Sequence, residues 1–386
     1  MAKRRKRVGL FYFYNENWVA GAYYILNIIH ALNTLEDTLK PKIIVLTNSK
    51  ESFDKLKNET QYPYLKYSVG SFKTYYNIFE RGINKISRII LNKKLIKKKP
   101  KLPKIDFLYP RQIETFSNNL KKVNWIPDFQ EDHLPQFFSQ EEINERKKHQ
   151  QNVLVKSDIA VFSSFDAQND FERLYPKSKA EKFVLQFAVT HPDFSNEKIE
   201  DLLKKHQLPN DYFFAPNQFW AHKNHMVILK AVNLLKQKGV DLVVAFSGKE
   251  SDYRNLENFS LLKAYITENK LNDNIKFLGF LERAEQLCLL SNSIAVIQPS
   301  LFEGWSTVVE DAKALSKFII LSNLNVHKEQ IKENVHFFDP YDENDLAKII
   351  EKYFKEKPKT IDSNYKNDIN KFALKFVDLI ALVTKL

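Results

Sequence analysis

The sequence predicts an α/β protein built from two domains, each with a parallel sheet covered by helices. Short apolar runs alternate with longer stretches of helical periodicity along the whole chain, which is typical of parallel sheets. The chain has 386 residues, a length that suits two domains at ~100–200 residues each. A polar stretch at residues 191–211 interrupts the alternation, which then restarts. We therefore expect two sheets that face each other across a cleft.

The strands are predicted from apolar runs that end in turn-forming residues. The first series is VGLFYF, KIIVLT, IDFLYP, VNWIP and IAVFSS, and the second is YFFAPN, DLVVAFSG, NIKFLGF, IAVIQPS, FIILSN and VHFFDP. The last segment reads as an amphipathic helix with no strand after it, so we expect it to pack back on the first domain. The predicted limits are residues 1–205 and 206–363 for the two domains and 364–386 for the final helix.

The composition indicates whether the chain spans a membrane and in which compartment it works. Mean hydropathy is −0.42, and no run reaches the roughly 18 apolar residues that a membrane span requires. The start, MAKRRKRVGLFYFYNENW, is predicted to be a first strand, because its apolar run is short and no cleavage site follows. A single cysteine, Cys288, lies in an apolar helical run, which excludes an internal disulfide and favours a reducing cytoplasm.

The net charge of +12 is concentrated in RIILNKKLIKKKPKLPK, residues 88–104. Before it, Phe79, Ile83 and Ile86 recur at helical spacing. Residues 72–104 therefore fit a basic amphipathic helix on an anionic membrane surface, and they equally fit a solvated charged face. Nucleic acid is not expected as a partner, because no groove-reading or base-stacking motif accompanies the lysines.

The segment SLFEGWSTVVEDAKAL, residues 300–315, holds three carboxylates between a strand and a helix. Thr307 and Glu310 have the spacing of a capping box, which gives Glu310 a structural role on the face opposite the core, while Asp311 lies on the helix flank. Glycine lets a backbone approach a ligand closely, and free N–H groups at a helix start suit a phosphate or a sugar oxygen. Those groups belong to Gly304, Trp305, Ser306 and Thr307.

This segment, and the longer stretch FLGFLERAEQLCLLSNSIAVIQPSLFEGWS around it, resembles the donor-binding motif of GT-B glycosyltransferases of family 4, the glycosyltransferase group 1 type. The resemblance implies two Rossmann-like domains and two acids eight positions apart. Glu303 matches the acid that contacts the donor sugar. By spacing, Asp311 takes the ribose role that is usually a glutamate's. Glu310 stands one position early and is the alternative donor-binding acid for the ribose. Phe280 is placed with the donor-binding residues.

A second stretch, YFFAPNQFWAHKNHMVILKAVNLL, resembles the family's diphosphate loop. That loop has Gly-Arg and then a lysine six residues after the glycine. Lys223 matches the lysine, while Asn217 and Gln218 occupy the Gly-Arg positions, so the arginine is missing. The alternative for Lys223 is an exposed lysine at a helix start.

Two stretches of the first domain complete the predicted site. In NENWVAGAYYIL, Gly21 stands where the family often has two glycines, with Asn15, Asn17 and Trp18 on the acceptor side, and an ordinary strand-to-helix turn explains the glycine equally well. VNWIPDFQEDHLPQFFSQEE resembles the family's histidine-aspartate segment. Asp128 matches the acid, Pro127 replaces the histidine, and His133 is a candidate substitute or a surface residue. Ser139 and Glu142 form a capping box.

The resemblance implies a retaining, metal-independent transfer of a sugar from a nucleotide diphosphate sugar, with Glu303, Lys223, Asp128 and His133 as the catalytic candidates. A UDP- or GDP-sugar is expected as co-substrate, with no cofactor and no metal. The acceptor is a free or lipid-linked saccharide in cell-surface polysaccharide or glycoconjugate synthesis, handled in the cytoplasm or on the inner face of the membrane. Two alternatives stay open: a nucleotide-sugar epimerase or hydrolase on the same fold, and a non-catalytic basic binding protein. The base, the sugar, the acceptor and the oligomeric state are not set by any motif.

Overall fold

The computed structural model describes residues 4–12, 19–69, 77–93, 95–96, 103–110 and 120–385. The strands are Arg7–Phe11 (β1), Lys42–Thr47 (β2), Leu65–Val69 (β3), Phe107–Tyr109 (β4), Val123–Ile126 (β5), Ile159–Phe162 (β6), Glu181–Val184 (β7), Phe213–Pro216 (β8), Val244–Ser247 (β9), Ile275–Phe277 (β10), Val296–Gln298 (β11), Ile319–Ser322 (β12) and Val335–Phe338 (β13).

The helices are Val19–Asn33 (α1), Lys50–Thr60 (α2), Ile78–Leu91 (α3), Gln130–His133 (α4), Gln140–Lys156 (α5), Phe165–Leu174 (α6), Ile199–His206 (α7), His225–Gln237 (α8), Asn258–Glu268 (α9), Arg283–Asn292 (α10), Thr307–Ala314 (α11), Asn325–Gln330 (α12), Glu343–Lys355 (α13) and Tyr365–Lys385 (α14).

The first half of the chain forms two parallel sheets that almost join, in the orders β3-β2-β1-β4 and β5-β6-β7. Between them, the Trp125 N–H donates to the Pro110 carbonyl at 2.9 Å, and Phe107 forms a parallel bridge with Lys121. The seven strands therefore run as one twisted layer. All five strands predicted here are present; β3 and β7 are additional.

The second half forms one parallel sheet of six strands in the order β10-β9-β8-β11-β12-β13. All six strands predicted from this half are confirmed. The order reverses between β8 and β11, and ligands of such sheets bind beyond the carboxyl ends of the strands at that reversal. The loops after Pro216 and Gln298 therefore occupy the position from which a ligand site is expected.

The final helix, α14, leaves the second sheet and packs on the first one. Its buried residues Phe372, Phe376 and Ile380 share a hydrophobic core with β1, β2 and α1, and the Phe376 ring lies 5.6 Å from the Tyr109 ring. Cys288 is buried in α10, as predicted. Within the described residues, no helix has the length and apolar character needed to cross a bilayer.

Helix α3 carries its apolar side outward. A capping box between Asn77 and Glu80 starts the helix. The buried residues are polar: Asn84 Nδ2 donates to the Ile96 carbonyl at 2.9 Å, and Ser87 is 3% exposed. The side chains of Ile78, Phe79, Ile83, Ile86 and Ile89 face solvent, the first two of them 84% exposed. This orientation leaves a row of large apolar side chains exposed at the surface.

Candidate active site

The reversal of strand order brings two loops together. The loop after β8 passes through a 3₁₀ turn, Ala221–Lys223, before α8, and the loop after β11 leads into α11. As a result, Lys223 Nζ donates to Glu303 Oε1 at 2.6 Å, although the two residues are far apart in sequence. The two residues predicted first for the donor site are therefore in direct contact.

Glu303 is held through one of its two oxygens. Oε1 accepts hydrogen bonds from Ser300 Oγ at 2.7 Å and Gln298 Nε2 at 2.9 Å, besides the one from Lys223. Burial raises the pKa of Glu303, but Lys223 together with the nearby His222 and His327 outweighs burial and lowers the pKa to about 2. Glu303 therefore stays ionised, and within the described residues Oε2 has no hydrogen-bond partner.

The predicted capping box at α11 is wrong. The N-cap is Ser306, with no side-chain hydrogen bond, and Thr307 is the first helical residue. Glu310 does not point away from the core: it is buried, and it accepts hydrogen bonds from Gln330 Nε2 at 2.9 Å, Lys313 Nζ and the Tyr365 hydroxyl. Burial raises the pKa of Glu310. Lys313 lies in α11 itself, but Gln330 and Tyr365 lie in α12 and α14, so Glu310 joins these elements to α11 instead of capping the helix.

Asp311, the predicted ribose ligand, is also buried, and each of its two carboxylate oxygens has a described partner. Arg283 donates to both carboxylate oxygens, at 2.8 Å to Oδ2, and His191 Nε2 lies 2.9 Å from Oδ1. Burial tends to raise the pKa of Asp311, but Arg283 and His191 lower it below its usual range. Sequence reasoning missed Arg283 and His191. Arg283 is the first residue of α10 and lies within the stretch that resembles the donor-binding motif. That position was the only feature of the sequence that could have indicated a role for Arg283.

The backbone at the start of α11 is partly occupied. The Ser306 N–H, one of the four predicted ligand-binding groups, donates to Gln330 Oε1 at 3.2 Å. Among the residues that the structure describes, the N–H groups of Gly304, Trp305 and Thr307 have no hydrogen-bond acceptor and can bind a ligand. Trp305 Nε1 donates to the Phe187 carbonyl of the first domain at 2.9 Å. The loop therefore reaches the opposite wall of the cleft.

That opposite wall carries Asp128 and His133. A Cβ atom at Gly304 would lie 2.6 Å from the Pro127 carbonyl oxygen and 2.9 Å from Asp128 Cβ, so the two loops touch. Arg146 pairs with the Asp128 carboxylate at 3.4 Å. The His133 ring lies 4.9 Å from the Phe302 ring. The structure thus places both predicted first-domain candidates against the loop that holds Glu303.

His133 is held by an acid. Its Nε2 lies 2.6 Å from Asp170 Oδ2, and this hydrogen bond raises the pKa of His133. The capping box of Ser139 and Glu142 is confirmed at the start of α5. Glu142 also accepts a hydrogen bond across the cleft from Arg254 at 3.3 Å.

The remaining predicted residues lie in different surroundings. Asn217 is buried and Gln218 is half-buried. Phe280 is mostly exposed, and no contact described in the structure links it to the site. Gly21 lies in the first turn of α1. Asn15, Asn17 and Trp18 fall outside the described residues.

A cavity of about 620 Å³ also opens between the domains, behind Trp305. Neither Glu303 nor Lys223 lines it. Four lysines and five carboxylates do, among them Lys313, Glu310 and Glu329. The lining therefore carries charges of both signs in nearly equal number.

Two facing parallel sheets with a ligand crevice at the strand-order reversal define the class of the molecule, the GT-B fold. HepE from Anabaena in complex with UDP and glucose aligns over 99% of this chain and 100% of that one, with 15% identity and a TM-score of 0.66. That likeness confirms the predicted fold class.

Sequence comparison then tests the predicted family resemblance. Residues 195–373 match the model described as "Glycosyl transferases group 1". The serotype-specific mannosyltransferase WbdA of Escherichia coli is 25% identical over 174 residues, which is 43% of this chain and 20% of WbdA. The O-antigen chain mannosyltransferase RfbU of Salmonella typhimurium is 22% identical over 187 residues, 48% of each chain. The chain thus spans only part of these relatives. The matched residues, which cover the second domain, thus resemble the glycosyltransferase group 1 family, and this match confirms the predicted resemblance.

Proposed function

We propose that the protein is a hexosyltransferase that moves a sugar from a nucleotide diphosphate sugar to a saccharide acceptor. The observation that carries this proposal is the contact between Lys223 and Glu303, at the carboxyl ends of β8 and β11 and against the Asp128 loop of the first domain. This pair places a cation and an ionised acid together at the position where ligands of such sheets bind. A nucleotide diphosphate sugar needs both: a cation for its phosphates and an acceptor for its sugar hydroxyls.

In this scheme Glu303 Oε2 accepts a hydrogen bond from a hydroxyl of the donor sugar. Lys223 and the N–H groups of Gly304, Trp305 and Thr307 stabilise the diphosphate as its bond to the sugar breaks. The leaving phosphate itself takes the proton of the acceptor hydroxyl. The reaction therefore does not require a histidine at position 127, where this chain has a proline. The sugar keeps its anomeric configuration, and no metal is needed because Lys223 supplies the positive charge. Asp311 is proposed for the ribose, with Arg283 holding its carboxylate in place.

The relatives guide the choice of substrates. WbdA and RfbU are described as mannosyltransferases, RfbU as one acting on the O-antigen chain, and the HepE structure contains UDP and glucose. We therefore propose a mannosyl or glucosyl donor, as a GDP- or UDP-sugar, and an acceptor in cell-surface polysaccharide synthesis. The reaction would take place in the cytoplasm, at the inner face of the membrane.

The test is nucleotide release from GDP-mannose, UDP-glucose, ADP-glucose and a CDP-sugar, with saccharide acceptors, in the presence and absence of EDTA. Release with one donor, unaffected by EDTA and lost in Glu303→Ala and Lys223→Ala, is the expected result. The anomeric configuration of the product, read by NMR, tests retention. Conversion of the sugar without any acceptor would favour an epimerase or hydrolase. No release and no donor-induced thermal shift, together with tight salt-sensitive binding to nucleic acid, would favour a binding protein.

We further propose that α3 holds the protein on the membrane that carries a lipid-linked acceptor. Its outward apolar row, Ile78 to Ile89, is flanked by Arg81, Lys85 and Arg88, and the sequence continues into a lysine run. An amphipathic helix with this composition buries its apolar side chains at the headgroup boundary while its cations meet anionic lipid. Exposure of these apolar side chains to water is unfavourable in free energy, and insertion into a bilayer removes them from water.

Vesicle flotation tests this contact. Wild-type protein should bind vesicles of phosphatidylglycerol and phosphatidylcholine, and binding should weaken as salt rises or as phosphatidylglycerol is withdrawn. Replacing Ile78, Phe79 and Ile89 by Ser should abolish flotation and leave nucleotide release with a soluble acceptor intact. Replacing exposed Leu256 and Leu261 of the second domain by Ser is the matched control. Flotation that survives the α3 changes would overturn the assignment.

A further inference from the structure

A buried pair of amide side chains joins the two loops of the candidate site. Asn217 Nδ2 donates to Gln298 Oε1 at 2.5 Å. Asn217 is 5% exposed and Gln298 is completely buried. The hydrophobic effect does not favour the burial of amide side chains. Burying two of them is tolerated only when their donors and acceptors form hydrogen bonds. The pair therefore has a specific orientation to maintain.

The fold fixes both members of the pair. β8 and β11 are neighbouring parallel strands with Phe214 opposite Val296, so Asn217 and Gln298 leave the same edge of the sheet side by side. Gly248 presses on the Asn217 backbone: a Cβ atom there would lie 2.2 Å from the Asn217 carbonyl oxygen, and its φ of +152° favours glycine. Pro216 pairs with Ser247 where β8 and β9 end, so the Asn217 backbone is held closely against Gly248, the residue that follows β9.

Because Gln298 Oε1 is turned toward Asn217, its NH₂ group must point the other way. There it donates to Glu303 Oε1 at 2.9 Å and to Ser300 Oγ at 3.1 Å. Ser300 Oγ in turn donates to Glu303 Oε1 at 2.7 Å. Every described donor to the Glu303 carboxylate therefore converges on one oxygen, and the other is left directed away from them.

We propose that Gln298 is a positioning residue for Glu303, and that Asn217 holds Gln298 in the orientation that makes this possible. The inference rests on the proposed function, because it assigns Glu303 Oε2 to the donor sugar. It also accounts for an unusual feature of the sequence: Asn217 stands at the glycine position of the resembled diphosphate loop. The asparagine serves Glu303 instead of approaching the phosphates.

The test compares nucleotide release by Gln298→Leu, Asn217→Ala and the double variant, with the donor that wild type turns over. Gln298→Leu should lower kcat/KM by roughly tenfold or more, as expected for loss of a hydrogen bond to a charged group. Asn217→Ala should do the same to a smaller extent. The double variant should be no worse than Gln298→Leu, because residues that act as a unit are not additive.

The pH profile separates positioning from mere folding. The Gln298 NH₂ donates to the ionised Glu303 carboxylate, so we expect its loss to raise the pKa of Glu303, while Lys223 continues to lower it. Activity should therefore fall at a higher pH in Gln298→Leu than in wild type as the solution is acidified. Asn274 provides a control, since it is a buried amide of the same domain, bonded to Asp241 and the Leu242 carbonyl away from the site. Asn274→Ala should lower Tm without changing kcat/KM or the pH profile.

The outcomes are distinct. If Gln298→Leu behaves like Asn274→Ala, the positioning role is wrong. If Glu303→Gln also leaves kcat/KM unchanged, the proposed function itself is wrong. Should Gln298→Leu fail to fold, Asn217→Ala decides: unchanged activity and an unchanged pH profile in that variant would overturn the inference.

Discussion

Gly304 offers a direct test of how closely the two domains must approach. An alanine Cβ at this position would lie 2.6 Å from the Pro127 carbonyl oxygen and 2.9 Å from Asp128 Cβ. Real Cβ atoms do not approach backbone that closely, so something must move. Pro127 belongs to the opposite wall of the cleft. We therefore expect the added methyl group to push the two loops apart.

We expect Gly304→Ala to lower the activity more than it lowers the stability of the fold. Overpacking a tight contact costs about 1–3 kcal/mol of stability. The shift needed to restore an ordinary contact is close to 1 Å, and a displacement of that size at reacting groups can lower the rate by about a hundredfold. Gly304→Ala should therefore lose far more activity than its fall in stability explains.

The assay is kcat/KM for nucleotide release together with Tm, and Gly239→Ala serves as control. Gly239 has a φ of +77° and open space around its Cβ position, so alanine there costs about 1 kcal/mol by backbone strain alone. This control should lose stability but keep its kcat/KM. If Gly304→Ala keeps kcat/KM within twofold of wild type, the close approach is not required and the reasoning fails.

Three further predictions concern buried charges and the last helix. Asp311→Asn should lower the free energy of unfolding in urea by about 3–5 kcal/mol, because it leaves Arg283 charged and unpaired, whereas Glu310→Gln should cost less than about 1 kcal/mol; the reverse order would contradict the roles given to the two acids. Phe376→Ala should cost about 3–5 kcal/mol, since it empties a fully buried site between α14 and β4, and a negligible change would show that α14 is dispensable. His133 has a raised pKa, so its pairing with Asp170 stabilises the fold below its unfolded pKa and fades as pH rises through its folded pKa. Asp170→Asn should therefore cost more Tm near pH 6 than near pH 9, and an equal loss at both would refute the pairing.

Much of the fold was predictable because buried parallel strands are short, continuous apolar runs. IAVIQPS and FIILSN are apolar throughout and end in residues that stop a strand. LKYSV and EKFV, which form β3 and β7, are half-exposed edge strands with mixed polarity, and they gave no comparable signal. In the first domain, the sequence therefore predicted the centre of the strand layer better than its two edges.

The candidate site divides in the same way. Spacing and resemblance predicted Glu303 and Lys223, because each sits at a fixed offset within one local motif. The role of Glu310 was misjudged, since its partners Gln330 and Tyr365 lie 20 and 55 residues away and only the packing of α12 and α14 brings them near. The same holds for His191, which reaches Asp311 from a loop 120 residues earlier in the chain. Contacts of this length leave no trace in local periodicity.

The most direct test of the account is nucleotide release by wild type and by Glu303→Gln, with donor affinity measured on the same samples by calorimetry. The account predicts that the variant folds, that it loses most of its release activity, and that it binds the nucleotide sugar more weakly while binding the free nucleotide as before. Unchanged release and unchanged affinity for the nucleotide sugar would contradict the claim that Glu303 contacts the donor sugar.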